Sequence, residues 1–140
     1  MFRREILRCR VPLRHESVMG TVYVDVDVSR EGAAPRTVRF LVDSAAGYSV
    51  LPWDDWHALG LQPTRTLDFV LADGTVIRRD VGHCMFAYGG VTAPSPVVLG
   101  EPGDAALLGT ITLESMGLVL NPFKRTLRPM RMRLAAALPG

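Results

Sequence analysis

At 140 residues the chain suits one domain, long enough to bury about two-thirds of the surface that its unfolded form would expose. Apolar residues make up 48% of it and no low-complexity tract interrupts them, which excludes a disordered or fibrous polypeptide. Sixteen basic against 14 acidic residues give a net charge of +2, too little to argue for nucleic acid, and no apolar stretch approaches membrane-spanning length.

Basic residues gather at both ends: Arg3, Arg4, Arg8, Arg10 and Arg14, then Lys124, Arg125, Arg128, Arg131 and Arg133. No aromatic residue interleaves with them, so they read as solvated faces of terminal strands and not as a nucleic-acid or membrane surface. Cys9 and Cys84 are too few for a disulfide framework or a zinc site, and no signal-peptide pattern opens the sequence. A reducing cytoplasm is the expected setting.

Val22-Tyr23-Val24-Asp25-Val26-Asp27-Val28 alternates strictly, predicting a half-buried strand with its acids outward. Ser29 to Pro35 forms a loop, and Val38 to Val42 a more central strand. Pro52 at the first helical position opens a helix over Trp53 to Leu59, ended by Gly60; Trp53 and Trp56 share its core-facing side, and His57 is an ordinary helix residue. Leu67 to Leu71 and Val76 to Val81 flank Ala72-Asp73-Gly74-Thr75, an Asp-Gly hairpin signal. Cys84 to Tyr88 and Pro96 to Leu99 are further strands, parted by Gly89-Gly90 and a proline-bearing loop. Thr110 caps a short helix running to Met116, and Gly117 ends it. Leu118 to Leu120 and Thr126-Leu127 close the pattern around Asn121-Pro122. Many short strands with one or two short helices and no regular strand–helix alternation predict an all-β fold, a closed or partly closed β-barrel.

Function concentrates in Phe40-Leu41-Val42-Asp43-Ser44-Ala45-Ala46. A lone carboxylate after an apolar strand is costly near a core unless it is hydrogen-bonded or used. The next apolar run, Tyr48 to Leu51, begins almost at once, so a tight turn aims Asp43 at a fixed point. Tyr48 lines the cleft near Asp43 or anchors the barrel, with packing the favoured reading. Ser49 and Ser95 lack a His/Asp pattern for nucleophilic chemistry, and Asp73 is a turn former. Asp43, Asp54, Asp55 and His83 lack ligand spacing, so neither metal nor cofactor is expected.

Taken together, the apolar strand ending at Asp43-Ser44, the hairpin at Leu71-Ala72-Asp73-Gly74-Thr75 and Leu107-Leu108-Gly109-Thr110 through Asn121-Pro122 resemble the retropepsin-like aspartic proteases, above all their small single-domain bacterial and archaeal members. The likeness runs from about Gly20 to Pro129 within one domain over 1–140, with a core of about 20–130 and a tail of 131–140. It implies a closed barrel with a flap hairpin, and a homodimer in which each subunit gives one catalytic Asp43 to a shared cleft for peptide or protein substrates. It implies further that Ser44 cross-links the two active-site loops, that Ala72, Asp73, Gly74 and Thr75 form the flap over substrate, that Leu108-Gly109 packs beneath the loop, and that the terminal strands meet the partner. The tail from Arg131 to Gly140 is read separately, as either disordered or docking Leu134 to Leu138 on the partner.

One position departs from the pattern: Ala45 stands where the family has glycine. With a negative φ, Ala45 fits and its N–H can still bond Asp43; with a positive φ, the loop is strained by about 1 kcal/mol or more. The same fold as a peptide-binding homodimer that does not cut is the alternative, and an unrelated β-barrel module with Asp43 as a turn residue is the remaining one.

Overall fold

Alternation in the first strand has the predicted result. In β1 (Tyr23–Ser29), Val24, Val26 and Val28 are buried while Asp25 and Asp27 face solvent. It pairs antiparallel with β2 (Arg36–Val42), Val26 opposite Val38. Phe40, Leu41 and Val42 are all buried because β2 is covered on both faces: Phe40 and Val42 enter the main core, and Leu41 joins a second cluster with Val50, Val98 and Leu107. The computed structural model describes residues 21–131; the first basic cluster, Cys9, His15, Arg133 and the tail beyond 131 lie outside them.

Next come β3 (Ser49–Leu51), α1 (Trp53–Leu59), β4 (Arg65–Val70), β5 (Val76–Tyr88), β6 (Val91–Leu99), β7 (Leu107–Leu108), α2 (Thr110–Met116), β8 (Leu118–Asn121) and β9 (Thr126–Pro129). The fold is all-β, with two short helices of seven residues each among the described residues. Strand order in the main sheet is β1-β2-β7-β3-β6-β5-β4, and β5 also pairs with β1, so the pairings return to the first strand as a ring. β8 and β9 make a separate two-stranded sheet.

Five expectations need correction. The runs Val76–Val81 and Cys84–Tyr88 are one thirteen-residue strand, because Gly82 and His83 stay paired with Val97 and Pro96. The proline-bearing stretch is strand as well. Pro94 and Pro96 lie two apart and so turn their missing N–H groups to one edge, which β3 does not reach, since it pairs only with Val97 to Leu99. Thr110 does not cap α2: Gly109 is at the N-cap, with no side-chain cap, and Pro52 likewise precedes α1 and does not open it. Trp53 is 39% exposed, whereas Trp56 packs on the core and donates from Nε1 to the Gly100 carbonyl at 2.8 Å. Gly60 and Gly117 end their helices in the left-handed region, as predicted, at φ 71° and 68°.

Candidate active site

Asp43 is the first residue past β2, and the chain turns there: the Ala46 N–H returns to the Asp43 carbonyl at 3.1 Å. Asp43 is half-buried, and its carboxylate accepts the Ala45 N–H on Oδ1 at 3.0 Å. Ser44 and Ala45 are exposed.

Ala45 therefore meets the first of the two conditions above. Its φ is not positive, since Arg125 is the one non-glycine with positive φ among the described residues, and its N–H reaches Asp43. Ala45 is exposed, and its backbone angle carries no left-handed strain. Ala45→Gly is accordingly expected to lower stability by about 0.5 kcal/mol through unfolded-state entropy, read as a denaturation midpoint; a midpoint that rises would mean that the methyl strains the loop.

The loop is held from beneath by backbone bonds. The Asp43 N–H donates to the Leu108 carbonyl at 3.0 Å, the Thr110 N–H to the Ala46 carbonyl and the Ile111 N–H to the Gly47 carbonyl, both at 2.9 Å. The free amides at the start of α2 thus find their acceptors in the loop, which is why no side-chain cap is needed. This approach requires a glycine at 109, where a Cβ would stand 2.6 Å from the Gly47 oxygen and 2.7 Å from the Tyr48 carbonyl. Gly109→Ala is expected to cost about 3 kcal/mol in a urea titration, because the clashing atoms are backbone and cannot swing aside; an unchanged midpoint would refute the fit.

A buried hydroxyl chain completes the support, and sequence reading missed it. Gly109 N–H donates to Ser49 Oγ at 2.9 Å; Thr112 Oγ1 lies 2.5 Å from Ser49 Oγ and 2.9 Å from Ser95 Oγ. Ser95 spends its single proton on the Pro96 carbonyl at 3.0 Å, so Thr112 donates to Ser95 and Ser49 donates to Thr112. Ser49 and Ser95 are structural hydroxyls and not nucleophiles.

Over the loop lies the β4–β5 hairpin. Its tip is a three-residue turn: the Gly74 N–H donates to the Leu71 carbonyl at 2.9 Å, and Gly74 alone takes positive φ, 87°. Asp73 serves as an anchor, accepting the Thr75 N–H at 2.9 Å, and the hydrogen bonds from Thr75 hold its carboxyl below the usual range. Between hairpin and loop is a cavity of about 150 Å³ lined mainly by Ala45, Tyr48, Val50, Phe69, Leu71 and Ile77. The hairpin stem supplies its wall; Ala72, Asp73, Gly74 and Thr75 do not line it. Tyr48, whose sequence context favours packing over a place in the cleft, lines the cavity as well. Its ring meets Phe69 edge-on at 5.3 Å, and its hydroxyl accepts from Arg65 Nη2 at 3.0 Å.

Arg79 also borders the cavity and was not singled out by sequence. It occupies an inward position of β5, between Ile77 and Val81 in the alternation, and is 2% exposed. Asp104, equally buried, meets it at 3.0 Å. A charged residue at an inward strand position is the signal that could have found the pair, since such a residue demands a buried counter-charge.

Other chemistry has little footing. Burial pushes the Cys84 thiol up to about 12, so it stays protonated and unreactive at neutral pH. Asp55 is paired with Arg36, and no three His, Cys, Asp or Glu side chains gather as a metal set among the described residues. No helix there is long and apolar enough to cross a membrane.

The sequence pattern of the aspartyl protease family matches residues 24–112, more than half of the chain, and spans both the Asp43 loop and the hairpin. Comparison with curated proteins finds no match. Among solved structures, the crystal structure of the prototype foamy virus protease–reverse transcriptase is similar over 84% of this chain, at 13% sequence identity and a TM-score of 0.44. This chain spans only 13% of the length of that viral polypeptide.

Proposed function

Because the chain belongs to the aspartyl protease family, we propose that it is an aspartic endopeptidase working as a homodimer, with Asp43 of each subunit in one shared site. The observation that carries this reading is the position of Asp43: a half-buried residue whose carboxylate accepts the Ala45 N–H, in a loop that also walls an apolar cavity under a hairpin. The Asp43 loop has one such acid per chain, and the mechanism needs two.

Two carboxylates a few ångströms apart cannot both ionise comfortably, so the pair shares one proton. The ionised member takes a proton from the water between them as that water attacks the peptide carbonyl. The protonated member meanwhile polarises the carbonyl oxygen. The resulting diol collapses as the amide nitrogen accepts a proton and departs as an amine. The β4–β5 hairpin is the proposed flap, closing on an extended peptide through strand-like hydrogen bonds, with Ala72 to Thr75 at its tip over the backbone and the apolar stem over a side chain. Exposed Ser44 sits on the proposed dimer face. There it borders a groove of about 440 Å³ between α2 and the β8–β9 sheet, lined by Leu113, Leu118 and Leu120 among others.

A mixed peptide library incubated with the purified protein between about pH 3 and pH 7 tests this directly. Cleavage beside apolar residues is the expected result. A folded dimer that cuts nothing would leave the peptide-binding reading in its place.

A further inference from the structure

The hairpin overhangs the sheet. β5 pairs with β6 only from Asp80 onward, opposite Leu99, so from Val76 to Arg79 its strand partner is β4 alone. Arg79 is thus the last residue before the hairpin leaves the body of the fold. Its guanidinium is fully engaged there: Nε donates to Asp104 Oδ2 at 3.0 Å and Nη2 to Oδ1 at 3.4 Å, while Nη1 donates to the Arg78 carbonyl at 3.1 Å and lies 3.7 Å from Glu101 Oε2. The Arg79 and Asp104 side chains are 1% and 0% exposed.

Asp104 is itself fixed. Its Oδ2 accepts the Glu101 N–H at 2.8 Å, and its own N–H donates to the Glu101 carbonyl at 2.9 Å. The loop is pressed against β3 at Gly100, where a Cβ would stand 2.9 Å from the Leu51 oxygen. Three residues beyond Asp104 the chain becomes β7, and the Leu108 carbonyl of β7 holds the Asp43 N–H. A short path therefore joins the root of the hairpin to the Asp43 loop.

Resting on the protease reading, we propose that Arg79 is a positioning residue: its fork on Asp104 clamps the root of the flap, so that the hairpin pivots at residue 79 and closes at a set height over Asp43. A bidentate guanidinium–carboxylate pair fixes both distance and angle, which an apolar contact of equal stability does not. The other link between loop and hairpin, Arg65 to the Tyr48 hydroxyl, is exposed, so water can replace it when the hairpin lifts. Opening then parts Phe69 from Tyr48 and leaves the root in place.

The test removes the fork without leaving a buried charge. Arg79→Met alone strands the Asp104 carboxylate and risks unfolding, so it is combined with Asp104→Asn, whose carbonyl still accepts from Glu101. In the folded double variant, hairpin amides between Leu67 and Ile77 are expected to exchange about tenfold faster, with those of Val24 to Val28 unchanged. The KM for a cleaved peptide should rise about fivefold or more, since substrate must now order the hairpin; a mere loss of folded protein lowers apparent kcat and leaves KM alone. Unchanged hairpin exchange overturns the clamp, and faster exchange with an unchanged KM overturns the positioning role. Amide exchange needs no activity, so a wild-type protein that cuts no peptide would refute the protease reading separately.

Discussion

Asp43→Asn is expected to abolish the peptide hydrolysis proposed for this chain, lowering kcat/KM by about a thousandfold or more, and to leave the fold intact. Both halves of that expectation come from the loop. The amide oxygen of an asparagine can take over the bond that Oδ1 accepts from the Ala45 N–H at 3.0 Å, and the Asp43 N–H still reaches Leu108. What the substitution removes is the ability to hold and release a proton, the one property the proposed chemistry draws from this residue and worth roughly that factor in general acid–base catalysis. In a two-fold dimer it removes both members of the dyad at once. Circular dichroism and sedimentation of the variant should match the wild type. Undiminished cleavage would move the chemistry elsewhere, to a group that neither the sequence nor the described residues offer.

Asp104→Ala is expected to have the largest effect on stability, about 3–5 kcal/mol, because it leaves the Arg79 guanidinium buried without its counter-charge. Glu101 is the nearest remaining carboxylate, but it stands 3.7 Å away on a side chain that is one-third exposed. The Glu101 N–H loses its acceptor in the same step. Small domains are stable by about 5–15 kcal/mol, so the variant should unfold at far lower urea and could fail to accumulate in cells. Arg78–Asp68, on the outer face of the same hairpin, is the natural control: both side chains are mostly exposed, and Asp68→Ala should barely shift the midpoint. A midpoint for Asp104→Ala close to the wild type would mean that water or Glu101 reaches Arg79 freely.

Much of the fold was legible where a single local cause decides the outcome. Alternating valines fix the inner face of β1, glycines end both helices, and an acid at the end of an apolar run marks the turn at Asp43. Illegible were the features decided by a distant partner. Gly82-His83 looks like a break until β6 is seen alongside it, and the stretch around Pro94 looks like a loop until Val91 to Ser95 is seen paired with β5 and β3 is seen to stop short of it. Thr110 looks like a cap until the loop carbonyls of Ala46 and Gly47 are found to satisfy the helix amides. In the site, Asp43 was readable because its type and place are costly, whereas Tyr48 and Arg79 act through residues seventeen or more positions away, Arg65 and Asp104. Ala45 could not be judged from sequence, since the matter turned on a backbone angle.

Mixing wild-type and Asp43→Asn chains tests the central claim, a site shared between two copies, most directly. After equal amounts are allowed to exchange subunits, about one quarter of the dimers carry two aspartates. Total hydrolysis should then fall to about one quarter of that of the same amount of wild-type protein. A fall to about one half, in simple proportion to the wild-type chains present, would mean that each chain cuts alone and would contradict the account.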